Sequence, residues 1–272
     1  MNELLDFRYK EQGLDRLSNK KHSHTYHYEI LLVNSGSGSI IVDDHIFPIK
    51  KDTILFINGI NTHCSVPDDP ACYVRTKLVI SQAFIQNIAQ LTSFTGGIAA
   101  LFQSTGGVCI KLNPAQALLI DEEMRKIRDS LHTDNMQTKT EVMLSVFRIL
   151  LCAHENIQNY ASPIHNKMSD VLTYLNDNIS KKITLDELCD QLHISKYYLC
   201  HTFKQTVGMT IFDYILTKRI SLAKKKLLYT DESISEISLS LGFSSFSYFS
   251  KAFKEFEGVS PKEFRRKGAA AK

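Results

Sequence analysis

The sequence predicts an α+β chain: an N-terminal antiparallel β-barrel with two flanking helices, then an all-α part built from two helix-turn-helix units joined by a long helix. Three observations predict it. Between Tyr26 and about Val79 the apolar residues come in short runs, YHYEILLVN, SIIV, IFPI and TILFI, broken by SGSG (Ser35 to Gly38), DDH and KKD. Runs this short between polar turns are those of an antiparallel barrel or sandwich. After Asn113 the apolar spacing becomes helical, and beyond Asn166 one helix-turn-helix pattern occurs twice.

Asn113-Pro114 joins an N-cap to a proline at the first helical position, and Leu118, Leu119, Met124, Ile127 and Leu131 follow at helical spacing. A second amphipathic stretch from about Thr140 to Asn156 carries Val142, Val146, Ile149 and Leu150. These helices either close the barrel or offer a face to a second copy. The polar segment NIQNYASPIHN, with Pro163, reads as a linker. The expected organisation is a first domain over 1–158 (barrel about 1–112, helices about 114–156), a linker at 159–166, a second domain over 167–267 and a disordered tail at 268–272.

At 272 residues and 43% apolar content the chain is long enough for two domains with ordinary cores. No apolar run approaches the ~18 residues of a membrane span, and MNELLDFRYK is charged throughout, so a cytoplasmic protein with no membrane partner is expected. Six cysteines lie scattered without a C-x-x-C pair, the distribution of small buried hydrophobes rather than of a metal knuckle or disulfide frame. The net charge of +3 is unevenly spread. Residues 167–267 hold 16 Lys/Arg against 12 Asp/Glu, about +4, while residues 1–166 hold 15 against 17, about −2. Such a balance fits phosphate binding and equally an ordinary solvated helical domain.

The repeat narrows the choice. Its first copy is TLDELCDQLHISKYYLCHTFKQTVGMTIFDYI and its second SISEISLSLGFSSFSYFSKAFKEFEGVSPKEF. Leu185, Leu188, Leu192 and Ile194 match Ile234, Ile237, Leu241 and Phe243 at an offset of 49; Leu199, Phe203, Gly208 and Thr210 match Phe249, Phe253, Gly258 and Ser260 at 50. Each copy reads as a short helix, a tight turn at His193 or Gly242, and a helix opened by serine. Cys189 and Ser238 are small where the two helices approach. With Leu199 and Phe203 inward, Lys196, Tyr197, Cys200, His201 and Lys204 face outward. With Phe249 and Phe253 inward, Phe246, Ser247, Ser250, Lys251 and Lys254 do the same beside the capping Ser245, and an exposed Phe246 wants a core or a base to cover it. One helix from Ile211 to Tyr229 would hold the units apart by a fixed amount, suited to surfaces that recur on a DNA duplex about every 34 Å. A plain helical bundle is the alternative, and a pattern repeated in the same register speaks against it.

Residues 167–267 resemble the DNA-binding domain of the AraC/XylS family of bacterial transcription regulators. The family pattern stands here as Arg219-Ile220, Ala223, Leu227-Leu228, then Ile234, Ile237-Ser238, Gly242-Phe243, then Phe249, Lys251, Phe253-Lys254, Gly258 and Ser260-Pro261. It departs at Cys189 and Ser238, where the family usually has alanine. The resemblance implies a sequence-specific regulator of carbohydrate or related metabolic genes, reading double-stranded DNA with helices over about Ser195 to Val207 and Ser245 to Glu257. Family members often carry a guanine-reading arginine at the positions of His201 and Lys251, and histidine lacks that bidentate fork. Phosphate contacts are assigned to Lys204, Lys254, Arg219 and the helix start at Ser260-Pro261. The implied partners are DNA, a small-molecule effector with sugars the family's commonest class, a second copy of the chain and RNA polymerase; no cofactor and no enzyme activity are implied.

The N-terminal strands resemble the cupin-like part of the same family. His22-Ser23-His24, Glu29 and Gly36 fit part of H-x-H-x-x-x-x-E-x6-G, and His63 stands for its later histidine. A divalent metal with open positions, and so an enzyme with an accessory DNA-binding domain, is one reading. Arg16 replaces a bracketing glycine, and a metal-free effector barrel is the preferred one, with His24, Glu29, His63 and Arg75 as candidate polar liners. A passive dimerisation module is the third.

Overall fold

The strand-forming runs of the first half become two stacked antiparallel sheets, as seen in a computed structural model that describes residues 4–13, 27–59, 61–102, 106–131 and 135–270. The strands are β1 (Leu4–Gln12), β2 (His27–Ser35), β3 (Ser37–Val42), β4 (His45–Lys50), β5 (Thr53–Asn58), β6 (His63–Pro67), β7 (Val74–Ser81) and β8 (Val108–Lys111). One sheet runs β1-β7-β2-β5-β8 and the other β4-β3-β6. Among the described residues no ladder joins their edges, so the expected closed barrel is corrected to a sandwich. Short strands and turns specify the layers; they do not specify whether the last edges meet.

Strand β2 lies at the centre and is buried on both faces, which is why its sequence is a continuous apolar run. Leu31 and Val33 pack with Leu55 and Ile57 against Ile40, Val42, Phe47 and Ile49 of the smaller sheet. Tyr28, Ile30 and Leu32 face the other way, into a core shared with four helices. The SGSG break marks the crossing between sheets. Gly36 there has φ +85, and a Cβ on it would lie 2.9 Å from the Tyr73 Cα, so only glycine fits.

Helices α1 (Gln82–Thr92), α2 (Thr95–Phe102), α3 (Pro114–Ser130) and α4 (Met136–Glu155) cover the larger sheet. Asn113 opens α3 with a capping box to Gln116, and Asn135 caps α4, whose first residue, Met136, lies four before the expected start at Thr140. The segment expected as a linker is partly tied down: Ala161 N–H donates to the Cys109 carbonyl and Ile164 N–H to the Ile46 carbonyl, both at 2.7 Å. The first compact unit accordingly reaches Ile164, and a second begins at His165. Cys64, Cys109 and Cys152 are buried, and burial pushes the Cys109 thiol up to about 12. Cys72 and Cys200 are exposed, however, so the reading of the cysteines as buried hydrophobes fails for these two.

The second unit holds α5 (Lys167–Asp177), α6 (Leu185–Leu192), α7 (Lys196–Val207), α8 (Ile211–Tyr229), α9 (Ile234–Ser240), α10 (Phe246–Glu257) and α11 (Pro261–Ala270). The residues expected as a disordered tail from 268 continue α11 as far as Ala270. Helix α8, 19 residues and so about 28 Å long, packs against α7, α9, α10 and α11. It buries Tyr214, Ile220, Ala223 and Leu227, and also Lys218 and Lys224, the latter 3.0 Å from Glu257 of α10.

Candidate nucleic-acid interface

Each helix-turn-helix is fixed by its turn. His193 ends α6 at φ 53, ψ 49, and Gly242 follows α9 at φ +73, so both units use a left-handed residue at the same place. The serines after the turns act as N-caps, Ser195 Oγ accepting from Tyr198 N–H and Ser245 Oγ from Tyr248 N–H, each at 3.2 Å. Ser245 thus commits its acceptor to the helix. Leu199 and Phe203 of α7, and Phe249 and Phe253 of α10, are fully buried.

Their burial turns the other faces outward. On α7, Lys196, Tyr197, Cys200, His201 and Lys204 are exposed, Tyr197 to 79%. The Tyr197 and His201 rings stack at 5.7 Å, one helical turn apart, and Lys196 reaches Asp186 of α6 at 2.8 Å. On α10, Phe246, Ser247, Lys251 and Lys254 are exposed and Ser250 is half-buried.

Charge at the helix starts separates these two helices from the rest. In the second unit α5, α6, α8, α9 and α11 carry an acidic residue in the first turn, and α7 and α10 carry none. A carboxylate at a helix start neutralises the positive end of the dipole, so α7 and α10 keep theirs for an approaching anion. The signal is legible in the sequence, in the residues that follow each cap.

Two expected phosphate contacts are corrected. The Arg219 guanidinium donates to three backbone carbonyls, from Nε to Ile179 at 2.9 Å, from Nη1 to Gly242 at 2.6 Å and from Nη2 to Lys181 at 2.6 Å. It clamps α8 to the second turn and to the loop before α6, with its donors turned inward. The start of α11 is filled by Glu263, whose carboxylate accepts from Ser260 N–H at 2.9 Å; that bond and the Ser260 hydroxyl hold it below the usual carboxylate range. A phosphate there would meet a like charge.

In the first unit, Glu29, His63 and Arg75 are all buried on the strand faces that look between the sheets. His63 Nε2 lies 3.1 Å from Glu29 Oε2, and its Nδ1 3.2 Å from the Asn61 carbonyl. Arg75 instead lies near Glu11 of β1, Nη2 to Oε2 at 3.6 Å. His24 lies outside the described residues. Among those described, no group of three or more His, Cys, Asp and Glu is placed to hold a metal ion, and no helix is long and apolar enough to cross a membrane.

A ligand-binding sheet domain followed by two helix-turn-helix units with bared second helices defines a DNA-binding transcription regulator. The family profile described as an AraC-like ligand binding domain matches residues 4–134, and one described as a helix-turn-helix domain matches 188–267. The chain belongs to the AraC/XylS family of transcription regulators. It is similar to the HTH-type transcriptional activator RhaR of Mannheimia succiniciproducens, 25% identical over 252 residues, covering 90% of this chain and 86% of that protein. It is similar also to the bifunctional transcriptional activator/DNA repair enzyme AdaA of Bacillus subtilis, 34% identical over 110 residues, 38% of this chain. The chain spans about half of AdaA, 52% of its length. Among solved structures, the C-terminal domain of AraT, a response regulator from Geobacillus stearothermophilus, aligns over 38% of this chain and 86% of its own, at 31% identity and a TM-score of 0.37.

Proposed function

We propose that this regulator reads two neighbouring major-groove segments of one duplex with α7 and α10, base contacts coming from Tyr197, Cys200, His201, Phe246, Ser247, Ser250 and Lys251, and phosphate contacts from Lys196, Lys204 and Lys254. The observation that carries this is the pairing of exposed faces with acid-free helix starts on these two helices alone in the second unit. Lys196 exchanges Asp186 for a phosphate, an exchange that costs little because the ion pair is solvent-exposed. Selection from a randomised duplex pool supplies the site, and variants then sort the roles. His201→Ala relaxes preference at one base pair, a loss of about 0.5–1.5 kcal/mol of discrimination, that of a single hydrogen bond. Lys254→Ala weakens binding to all sequences alike and lowers the salt slope by about one. Equal losses on selected and random DNA for both variants would refute the assignment.

The same reading includes an effector held between the sheets near Glu29 and His63, a sugar by the family's commonest class, and cytoplasmic action in contact with RNA polymerase. It also includes a homodimer formed through α3 and α4, supported by Leu118 at 67% exposed, Leu119 at 42% and Leu144 at 51%. Leu118→Glu is expected to shift the sedimentation mass from dimer to monomer; an unchanged mass would remove this face from the account.

A further inference from the structure

Where α3 crosses the ends of the central strands, the first unit has a cleft of about 460 Å³, with Leu118 of the proposed dimer face on its edge and its charged rim outside the roles assigned so far. Its apolar lining comes from Leu32, Val74, Pro114, Ala117 and Leu118, and its rim carries Lys10, Asp121, Lys51 and Asp52. The size is that of a small-metabolite site.

The two ends of the rim differ. At one, Asp121 is satisfied: its carboxylate accepts from Lys10 Nζ at 2.8 Å and from Tyr9 Oη and Asn34 Nδ2 at 3.3 Å, and Asn34 is itself oriented by Thr76. At the other, the Lys51 and Asp52 side chains have no ion-pair or hydrogen-bond partner among the described residues. Their backbone is nevertheless fixed. Asp52 N–H donates to the Val33 carbonyl at 2.9 Å and Lys51 N–H to Gly36 at 3.1 Å, while the Asp52 carbonyl accepts from Leu112 N–H at 2.9 Å and the Lys51 carbonyl from the Lys111 ammonium. A cation and an anion, neighbours in the chain on a fixed backbone, therefore line one end of the cleft without a partner among the described residues.

That arrangement selects a ligand. Among the described residues the rim carries as many carboxylates as ammonium groups, so a polyanion such as a nucleotide gains no net attraction. No aromatic ring among the described residues lines the cleft for a base or a sugar face to cover. A dipolar molecule with one carboxylate and one ammonium group meets both rim charges at once. We propose that this cleft is a binding site for a free amino acid, its carboxylate on Lys51 and its ammonium on Asp52, separate from the space between the sheets.

Calorimetry and thermal melts of the full chain against each of the twenty free L-amino acids, and against the N-acetyl amide of each binder, test this. The expected result is saturable binding of at least one with Kd below ~1 mM, lost in the blocked form and weakened roughly tenfold or more in Lys51→Met and in Asp52→Asn. Asparagine tolerates the left-handed φ of 64 at residue 52, so the ligand-free melting temperature stays in place. Glu29→Gln, between the sheets, leaves this binding unchanged. Absence of saturable binding, retention by the blocked form, affinity undiminished in Lys51→Met and Asp52→Asn, or loss in Glu29→Gln each overturns the proposal.

Discussion

Replacing Gly242 with alanine tests the turn geometry on which the second helix-turn-helix rests. A left-handed φ of +73 costs a non-glycine residue about 1 kcal/mol. The added Cβ would also stand 2.5 Å from the Ser180 carbonyl oxygen and 2.8 Å from Arg219 Nη2, distances real atoms do not occupy. Either the loop at Ser180 moves or the guanidinium does, and both share the clamp of hydrogen bonds to Ile179, Lys181 and Gly242. Losing one or two of these charge-assisted bonds, at about 1.5 kcal/mol each, brings the expected loss to roughly 2.5–4 kcal/mol. The smaller conformational entropy of unfolded alanine returns under about 1 kcal/mol. Hydrogen exchange of the α9 and α10 amides across a urea series reads this unit without interference from the sheet domain. His193→Gly is the mirror experiment: at φ 53 the histidine already bears the left-handed cost, so glycine relieves it and the net change stays within about 0.5 kcal/mol. A Gly242→Ala loss below about 1 kcal/mol would refute the reasoning.

Arg219→Met removes the clamp, and a loss of roughly 2–4 kcal/mol from the second unit is expected with the salt slope of DNA binding by the folded protein unchanged; a slope lower by about one would restore a phosphate role. Glu123 is 3% exposed, and although burial pushes its carboxyl up, hydrogen bonds from Lys126, Ser145 and Arg148 outweigh this and hold it below the usual range. A depressed folded-state pKa means its contribution is complete above the unfolded value and vanishes as pH falls through the folded one. Acid titration of the α3–α4 amide protection therefore falls below about pH 4 in the parent and is flatter in Glu123→Gln, and identical profiles would contradict the shift.

The second unit was the more legible half because its signals are local. Leu199 and Phe203, Phe249 and Phe253, the serine caps and Gly242 each state a helix face, a helix start or a turn within a few residues, and the repeat checks one copy against the other. Arg219 misled because an arginine beside a DNA-binding motif suggests phosphate, whereas its partners are carbonyls about forty and twenty residues away in the chain. In the first unit, the alternation of Phe7 and Tyr9 with charged neighbours in β1, and Ile85, Ile88 and Ala89 behind the Ser81 cap in α1, are local signals of the same kind, weaker because each element is short. The partnership of Glu29 with His63 joins strands of different sheets, and no local spacing encodes it. The same holds for closure of the barrel, which depends on edges far apart in sequence.

Hydroxyl-radical footprinting of the intact chain on a duplex recovered by selection tests the central claim most directly. Two protected patches on one face of the helix, ~10 base pairs apart within each half-site, are the predicted result, the upstream or downstream patch fading selectively when Lys204 or Lys254 is replaced. A single patch that both replacements weaken together would contradict it.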